Sequence, residues 1–139
     1  MKEFETTALK EKLPKVLAFV DEQLASLGCS QKIILQIDIA VEEIFVNIAS
    51  YAYNPEVGPA VIRTEITEDP LAVVISFVDN GMPYDPLARP DPDIHLPASE
   101  RGIGGLGIFM VKQSMDDVAY EYKDGQNILT IKKNIIDGK

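Results

Sequence analysis

The segment Arg101-Gly102-Ile103-Gly104-Gly105-Leu106-Gly107-Ile108 places four glycines within six residues, directly before a stretch with helical spacing of apolar residues. Glycines that open a helix expose backbone N–H groups at the positive helix end, where phosphate binds readily. The string also matches G-x-G-x-x-G, but that dinucleotide motif requires a strand immediately before it. Here a proline-rich stretch precedes the glycines, and no Gly-Lys-Ser/Thr of a Walker loop follows. The glycines therefore predict a phosphate site in a fold other than parallel α/β. The alternative is that they simply end a loop.

The stretch before the glycines predicts a lid. Residues 82–101 show little periodicity and contain five prolines, which are Pro83, Pro86, Pro90, Pro92 and Pro97. A loop of this length is uncommon in a compact domain and is typical of a segment that covers a binding site. We therefore expect a lid over about residues 82–104.

Two helices are predicted upstream. Apolar residues recur at helical spacing over residues 10–27, and Gly28 then provides a C-terminal stop. Ser30 is a suitable N-cap for a second helix over about residues 31–52.

Strand patterns fill most of the remaining chain, at residues 2–7, 60–67, 71–78, 117–123 and 127–133. Tight links at residues 68–70 and 124–125 join four of these runs into two hairpins, and residues 105–115 predict a helix between the hairpins. The order β-α-α-β-β-lid-α-β-β predicts an α+β fold. It is a two-layer α/β sandwich whose mixed, mostly antiparallel sheet is covered by helices on one face. A chain of 139 residues suits one domain, residues 1–139.

The composition limits the partners and the compartment. The net charge is −9, from 22 acidic and 13 basic residues. Such a chain repels phosphate backbones, so neither nucleic acid nor anionic membrane is an expected partner. No apolar run approaches the roughly 20 residues of a membrane span. The lone Cys29 and the charged start of the chain favour a cytoplasmic protein.

Glu43 and Asn47 lie one turn apart on the second predicted helix. Asn offers a neutral carbonyl oxygen to Mg²⁺, which prefers oxygen ligands and keeps several waters or phosphate oxygens. Glu43 could act as a base toward a hydroxyl group near the terminal phosphate. Taken alone, Asn47 is more simply a polar residue hydrogen-bonded to a neighbouring strand.

Asp79 and Gly81 follow the apolar strand directly. Asp, Asn, Gly and Pro are all turn residues, so the segment could simply end the strand. As a site, the Asp79 carboxylate could accept a hydrogen bond from an exocyclic amine such as that of adenine. Gly81 would let a flat ring approach the backbone.

In this order, the three motifs resemble the three boxes of the GHKL (histidine kinase-like) ATPases. Within that superfamily the chain is most similar to the anti-sigma factor serine/threonine kinases of bacterial sporulation and stress response. The resemblance spans nearly the whole chain and implies the Bergerat-type ATP-binding fold with ATP and Mg²⁺ as ligands. The segments that carry it are Glu42-Glu43-Ile44-Phe45-Val46-Asn47-Ile48-Ala49, Asp79-Asn80-Gly81-Met82-Pro83-Tyr84-Asp85-Pro86, Arg101-Gly102-Ile103-Gly104-Gly105-Leu106-Gly107-Ile108, Met115-Asp116-Asp117-Val118 and Gly125-Gln126-Asn127-Ile128-Leu129-Thr130.

The resemblance implies a role for each matching residue. Asn47 would bind Mg²⁺, and Glu43 would be the general base or orient the attacking hydroxyl group. Asp79 would read the adenine amine directly and through a water shared with Thr130. The other nucleotide-binding residues would be Gly81, Arg101, Gly102, Gly104, Gly105, Leu106 and Gly107. Pro83 departs from the family, in which many members have a second glycine there, and it stiffens the start of the lid.

Two functions follow from the resemblance. The first is a kinase that phosphorylates a serine on an anti-anti-sigma (STAS-type) partner and regulates transcription by partner switching, with a sigma factor bound by the same surface region. The second is a non-catalytic, ATP-gated binding module that sequesters a regulator. A homodimer is also expected.

Overall fold

One five-stranded sheet frames the protein, which the computed structural model describes over residues 1–53, 55–88 and 105–135. The strands are β1 (Lys2–Thr7), β2 (Pro59–Thr67), β3 (Ala72–Asp79), β4 (Asp117–Lys123) and β5 (Gln126–Asn134). Their order across the sheet is β1-β2-β3-β5-β4, and every neighbouring pair is antiparallel. The α+β prediction is confirmed, and within the described residues the sheet contains antiparallel pairs only.

Among the described residues, three α-helices accompany the sheet: α1 (Leu13–Leu24), α2 (Gln31–Asn47) and α3 (Gly105–Ser114). The predicted N-cap of α2 is confirmed, because the Ser30 hydroxyl oxygen accepts a hydrogen bond of 3.2 Å from the Ile33 N–H. Two of the helices are shorter than predicted. Pro14 lies in the first turn of α1, and residues 10–12 before it form a 3₁₀ turn. After Asn47 the chain continues as a π-helical turn, Ile48–Ala52.

The helices pack on one face of the sheet. On this face Ile75, Phe77 and Asp79 of β3 lie opposite Ile131, Leu129 and Asn127 of β5. The apolar members of this set join one core with residues of all three helices, among them Val16, Val20, Ile37, Val41, Phe45 and Val111. The apolar row along β3 therefore ends in a carboxylate at the rim of the core, and the candidate site begins there.

Candidate functional site

A cleft opens where β3 ends, between the C-terminal part of α2, α3 and β5. It encloses about 480 Å³, including its open mouth. Most of its wall is apolar or aromatic, and Asn47, Asp79 and Asn127 supply side-chain amide and carboxyl groups. The remaining lining residues are Ile44, Ile48, Tyr51, Ala52, Phe77, Met82, Tyr84, Pro86, Ile108, Tyr120 and Leu129. An apolar cleft with few convergent polar groups is typical of a small-molecule site.

Helix α2 positions Glu43 and Asn47 one turn apart near its C-terminal end. Asn47 is the last residue of α2 and lines the cleft, while Glu43 is half-buried one turn earlier. Burial raises the pKa of Glu43. A hydrogen bond from Asn47 partly offsets the rise in pKa, and the charge of Glu42 adds to it. A carboxylate with a raised pKa is suited to accept a proton near neutral pH.

Gly107 lies against the Glu43 carboxyl group. A Cβ atom built at Gly107 would lie 2.1 Å from Glu43 Cδ and 2.2 Å from its Oε2, far inside van der Waals contact. The fold therefore brings two predicted site residues together from different helices. A side chain at position 107 would displace the Glu43 carboxyl group.

The Asp79 carboxylate is buried and fixed on one side. Its Oδ1 accepts hydrogen bonds from the Gly81 N–H at 2.8 Å and from Asn127 Nδ2 at 2.9 Å. Among the described residues no hydrogen bond is made to Oδ2, and Asp79 lines the cleft. Oδ2 is therefore the acceptor that Asp79 offers to a ligand.

The packing of two backbone segments explains why residue 81 is a glycine, which the sequence alone does not reveal. A Cβ atom there would lie 2.2 Å from the Ala52 carbonyl oxygen, which also accepts a hydrogen bond of 3.2 Å from the Met82 N–H. The segment after β3 is thus packed against the π-helical turn that follows α2. Glycine is required for this approach of two backbones.

Asn127 and Tyr120 join the site although sequence reasoning assigned them no role. The Asn127 amide spans the gap between β5 and the segment after β3, and the Tyr120 hydroxyl donates to Asn127 Oδ1. Burial raises the pKa of Tyr120. A hydrogen bond with the Tyr84 backbone partly offsets this rise in pKa, and nearby charges, including those of Asp85 and Asp79, add to it. The available signal was an Asn within a strand, where this residue is disfavoured.

Thr130 does not join Asp79. It pairs in register with Ser76, and the two hydroxyl oxygens lie 3.1 Å apart. Side chains alternate along a strand, so Thr130, three residues after Asn127, lies on the opposite face of the sheet. The expected water shared by Asp79 and Thr130 is therefore ruled out by the register of β5, and Asn127 is the β5 residue next to Asp79.

The remaining predicted residues are described only in part. Gly105 and Leu106 begin α3, and only their backbone is described. Arg101, Gly102 and Gly104 lie outside the described residues, as does most of the expected lid over 82–104. Residues 86–88 at its start form a 3₁₀ turn.

The side chains near Asn47 suit a Mg²⁺ ion that is coordinated mainly by phosphate oxygens of a bound nucleotide. Within residues 1–53, 55–88 and 105–135, no three His, Cys, Asp or Glu side chains converge as a metal site. Asn47, in the cleft wall beside Glu43, offers the neutral oxygen that a hydrated Mg²⁺ accepts when phosphate oxygens provide other ligands. In the same ranges, none of the helices is long and apolar enough to cross a membrane.

Comparison with known proteins identifies the family of this chain. The profile of the family described as Histidine kinase-like ATPase domain matches residues 6–133. The serine-protein kinase RsbW of Listeria monocytogenes serovar 1/2a is 34% identical over 110 residues, which cover 76% of this chain and 69% of that protein. The serine/threonine-protein kinase BtrW of Bordetella bronchiseptica is 28% identical over 102 residues, 73% of this chain and 71% of that protein.

A solved structure supports the fold. The structure of the RsbU and RsbW domains of Rv1364c from Mycobacterium tuberculosis superposes with a TM-score of 0.65 at 18% identity. The match covers 97% of this chain and 33% of that chain. The chain belongs to the histidine kinase-like ATPase family, in the group whose named members are protein serine/threonine kinases. The predicted family and class of enzyme are confirmed.

Proposed function

We propose that the protein is a Mg²⁺-ATP-dependent kinase of the anti-sigma type. It phosphorylates a serine on an anti-anti-sigma (STAS-type) partner and regulates transcription by partner switching with a sigma factor. The observation that carries the proposal is the single cleft lined by both Asn47 and Asp79, with Glu43 one turn from Asn47. The kinase names of the relatives support the same activity.

Two polar residues of the cleft wall, Asp79 and Asn47, would orient ATP. Asp79 Oδ2 would accept a hydrogen bond from the adenine amine, and the aromatic and apolar wall would contact the ring. The triphosphate would then run toward Asn47 and the start of α3, where Gly105 and Gly107 lie. Arg101, Gly102, Gly104 and Leu106 would complete the phosphate contacts that the family resemblance implies.

Phosphoryl transfer needs one proton acceptor near the terminal phosphate. The partner's serine oxygen would form a bond to the γ-phosphorus as the bond from that phosphorus to the ADP oxygen breaks, and Glu43 would take the hydroxyl proton. Asn47 would hold Mg²⁺, which neutralises phosphate charge when it is bound. The raised pKa of Glu43 makes its carboxylate a better proton acceptor than an ordinary surface Glu.

Transfer of label from γ-labelled ATP to a purified STAS-type protein tests this function. We expect Mg²⁺-dependent label on one partner serine with an equal amount of ADP released. Chelation of Mg²⁺, or the substitution Asn47→Ala, should lower the transfer rate by at least about a hundredfold, because both weaken the positioning of the phosphates. Equal transfer with and without Mg²⁺ would contradict the proposal.

A non-catalytic ATP-gated module is the second candidate. The contact between Gly107 and the Glu43 carboxyl group favours it, because the packed α3 backbone covers part of the proposed base. Such a module would bind ATP and its partner without releasing ADP, and Glu43→Gln would leave the partner affinity unchanged. Calorimetry of partner binding with ATP, run alongside the label assay, separates the two functions. The expected homodimer is tested separately by sedimentation.

A further inference from the structure

Asn127 occupies the position on β5 directly opposite Asp79. The two residues are partners in the β3–β5 register, and Asn127 is 7% exposed. An amide side chain in a buried strand position is costly unless its polar atoms are paired. What Asn127 does with its polar atoms therefore decides its role.

The protein itself occupies both polar atoms of Asn127. Its Nδ2 donates to Asp79 Oδ1 and to the Met82 carbonyl oxygen, both at 2.9 Å, with a longer contact of 3.4 Å to the Gly81 carbonyl oxygen. Its Oδ1 accepts from the Tyr84 N–H at 3.1 Å and from the Tyr120 hydroxyl.

This arrangement fixes which end of the amide faces Asp79. A flipped amide would place its oxygen against the Asp79 carboxylate and its NH₂ group against the Tyr84 N–H. Both contacts would be repulsive, so the neighbours hold one orientation. Since all its donors and its acceptor are engaged, Asn127 has no polar atom left for a ligand.

The effect of Asn127 falls on Asp79. With Oδ1 held by two donors, from Asn127 and Gly81, the carboxylate cannot rotate freely, and Oδ2 is presented to the cleft. A carboxylate only accepts hydrogen bonds, so Oδ2 matches an exocyclic NH₂ group and opposes a carbonyl at the same ring position. Such a site rejects an analogue lacking the donor, because its buried polar group is then left unpaired.

We infer that Asn127, held in place by the Tyr120 hydroxyl group, is a positioning residue that orients Asp79 and so makes the cleft selective for 6-aminopurine nucleotides. This inference rests on the proposed ATP-dependent function and adds the residues that set its base selectivity. Loss of the amide would leave Asp79 held only by Gly81, free to turn and to be hydrated. The preference for 6-aminopurine nucleotides should then fall more than the affinity for the triphosphate group.

Paired affinities for ATP and inosine triphosphate, which carries a carbonyl in place of the amine, test the inference. The chain offers two matched controls. Gln126→Ala removes an amide whose Nε2 donates an exposed hydrogen bond of 3.0 Å to Asn80 Oδ1. Tyr122→Phe removes the hydroxyl group of an exposed tyrosine on the same strand as Tyr120. The measurement is calorimetric Kd for both nucleotides with Mg²⁺, on folded variants checked by circular dichroism.

We expect the unsubstituted protein to bind ATP at least about tenfold more tightly than inosine triphosphate. Asn127→Ala should lower this ratio at least about fivefold and Tyr120→Phe about twofold to threefold, with both controls within about twofold. In the kinase assay Asn127→Ala should raise KM for ATP and leave kcat at saturating ATP nearly unchanged. If Asn127→Ala does not fold, Tyr120→Phe against Tyr122→Phe decides the question alone.

Two results would overturn the inference. One is equal weakening of both nucleotides in Asn127→Ala and Tyr120→Phe, which is what a purely structural role gives. The other is an unsubstituted protein that binds both nucleotides equally. Failure of the proposed function looks different, because selective ATP binding without label on a partner removes the kinase and leaves the role of Asn127 standing.

Discussion

At Gly107 the backbone of α3 lies directly on the carboxyl group of Glu43. Because residue 107 has no side chain, the proposed base can occupy its observed position. Gly107 lies in the first turn of α3, and glycine within a helix costs about 1 kcal/mol relative to alanine. Here the close contact explains it. The same reasoning makes position 107 a sensitive probe of where Glu43 must lie.

Gly107→Ala should lower kcat for phosphotransfer at least about tenfold, because its Cβ would push the Glu43 carboxyl group out of place. Thermal stability should change little, since alanine favours the helix while its Cβ crowds Glu43. Gln113→Ala, at an exposed position of the same helix, is the matched control. A Gly107→Ala variant with the kcat of the control would show that Glu43 does not need its observed position.

The raised pKa of Glu43 predicts the pH dependence of catalysis. A general base works deprotonated, so kcat/KM, which reports groups of the free enzyme, should fall as the pH drops through the raised pKa of Glu43. The acidic limb of the kcat/KM profile should therefore lie above the ordinary Glu pKa of about 4.3. Rates measured from pH 4 to pH 8 at limiting ATP and partner give this limb. A limb at about 4.3 or below would contradict the assigned environment of Glu43.

The helices meet through two acidic residues, Asp21 of α1 and Asp38 of α2. The Oδ1 atoms of both are buried without a hydrogen-bond partner. The pKa of Asp38 is raised to about 7, mainly by burial and also by the hydrogen bond and the charge of the Asp21 carboxyl group. The α1–α2 contact is thus a place where pH acts on the stability of the fold.

Asp38→Asn should stabilise the protein at pH 8 and have a clearly smaller effect at pH 5. The unfolded chain releases this proton near pH 4, whereas the folded protein keeps it until about pH 7, so the free energy of unfolding falls as the pH rises through this window. Asparagine resembles the protonated acid, so the gain at pH 8 should be about 1 kcal/mol, because water still screens the pair. Urea unfolding at both pH values measures it, with exposed Asp117→Asn as control. Equal effects at both pH values would contradict the pairing.

Most helices and strands could be predicted from periodicity, capping residues and hairpin links, because these are local features of the sequence. The Ser30 cap and all five strands were found within one or two residues of their predicted limits. The motifs brought Asn47 and Asp79 to the cleft wall, with Glu43 one turn before Asn47, and their roles stay predictions. The pairing of Asn127 with Asp79 and the position of Thr130 depend on the register between β3 and β5, which a single strand sequence does not encode.

On the scale of the whole molecule, a chain of net charge −9 must draw positive character from a small region to bind a nucleotide. In the proposed function this region is one end of the sheet, where the start of α3 lies near the ends of α2 and β3. The N-terminus of α3 and a cation held by Asn47 would supply the positive charge. The wall of the cleft is otherwise apolar and aromatic, which suits the adenine ring rather than the phosphates.

In the proposed reaction Glu43 takes the proton from a partner serine in an ATP site formed by this cleft. Single-turnover transfer of label to a STAS-type partner, compared between Glu43→Gln and Glu42→Gln, measures this role. The two changes remove the same charge one residue apart, and Glu42 is exposed. We predict a loss of about a hundredfold or more for Glu43→Gln with ATP affinity retained, and near-normal transfer for Glu42→Gln. Equal transfer rates in the two variants would show that Glu43 is not the proton acceptor.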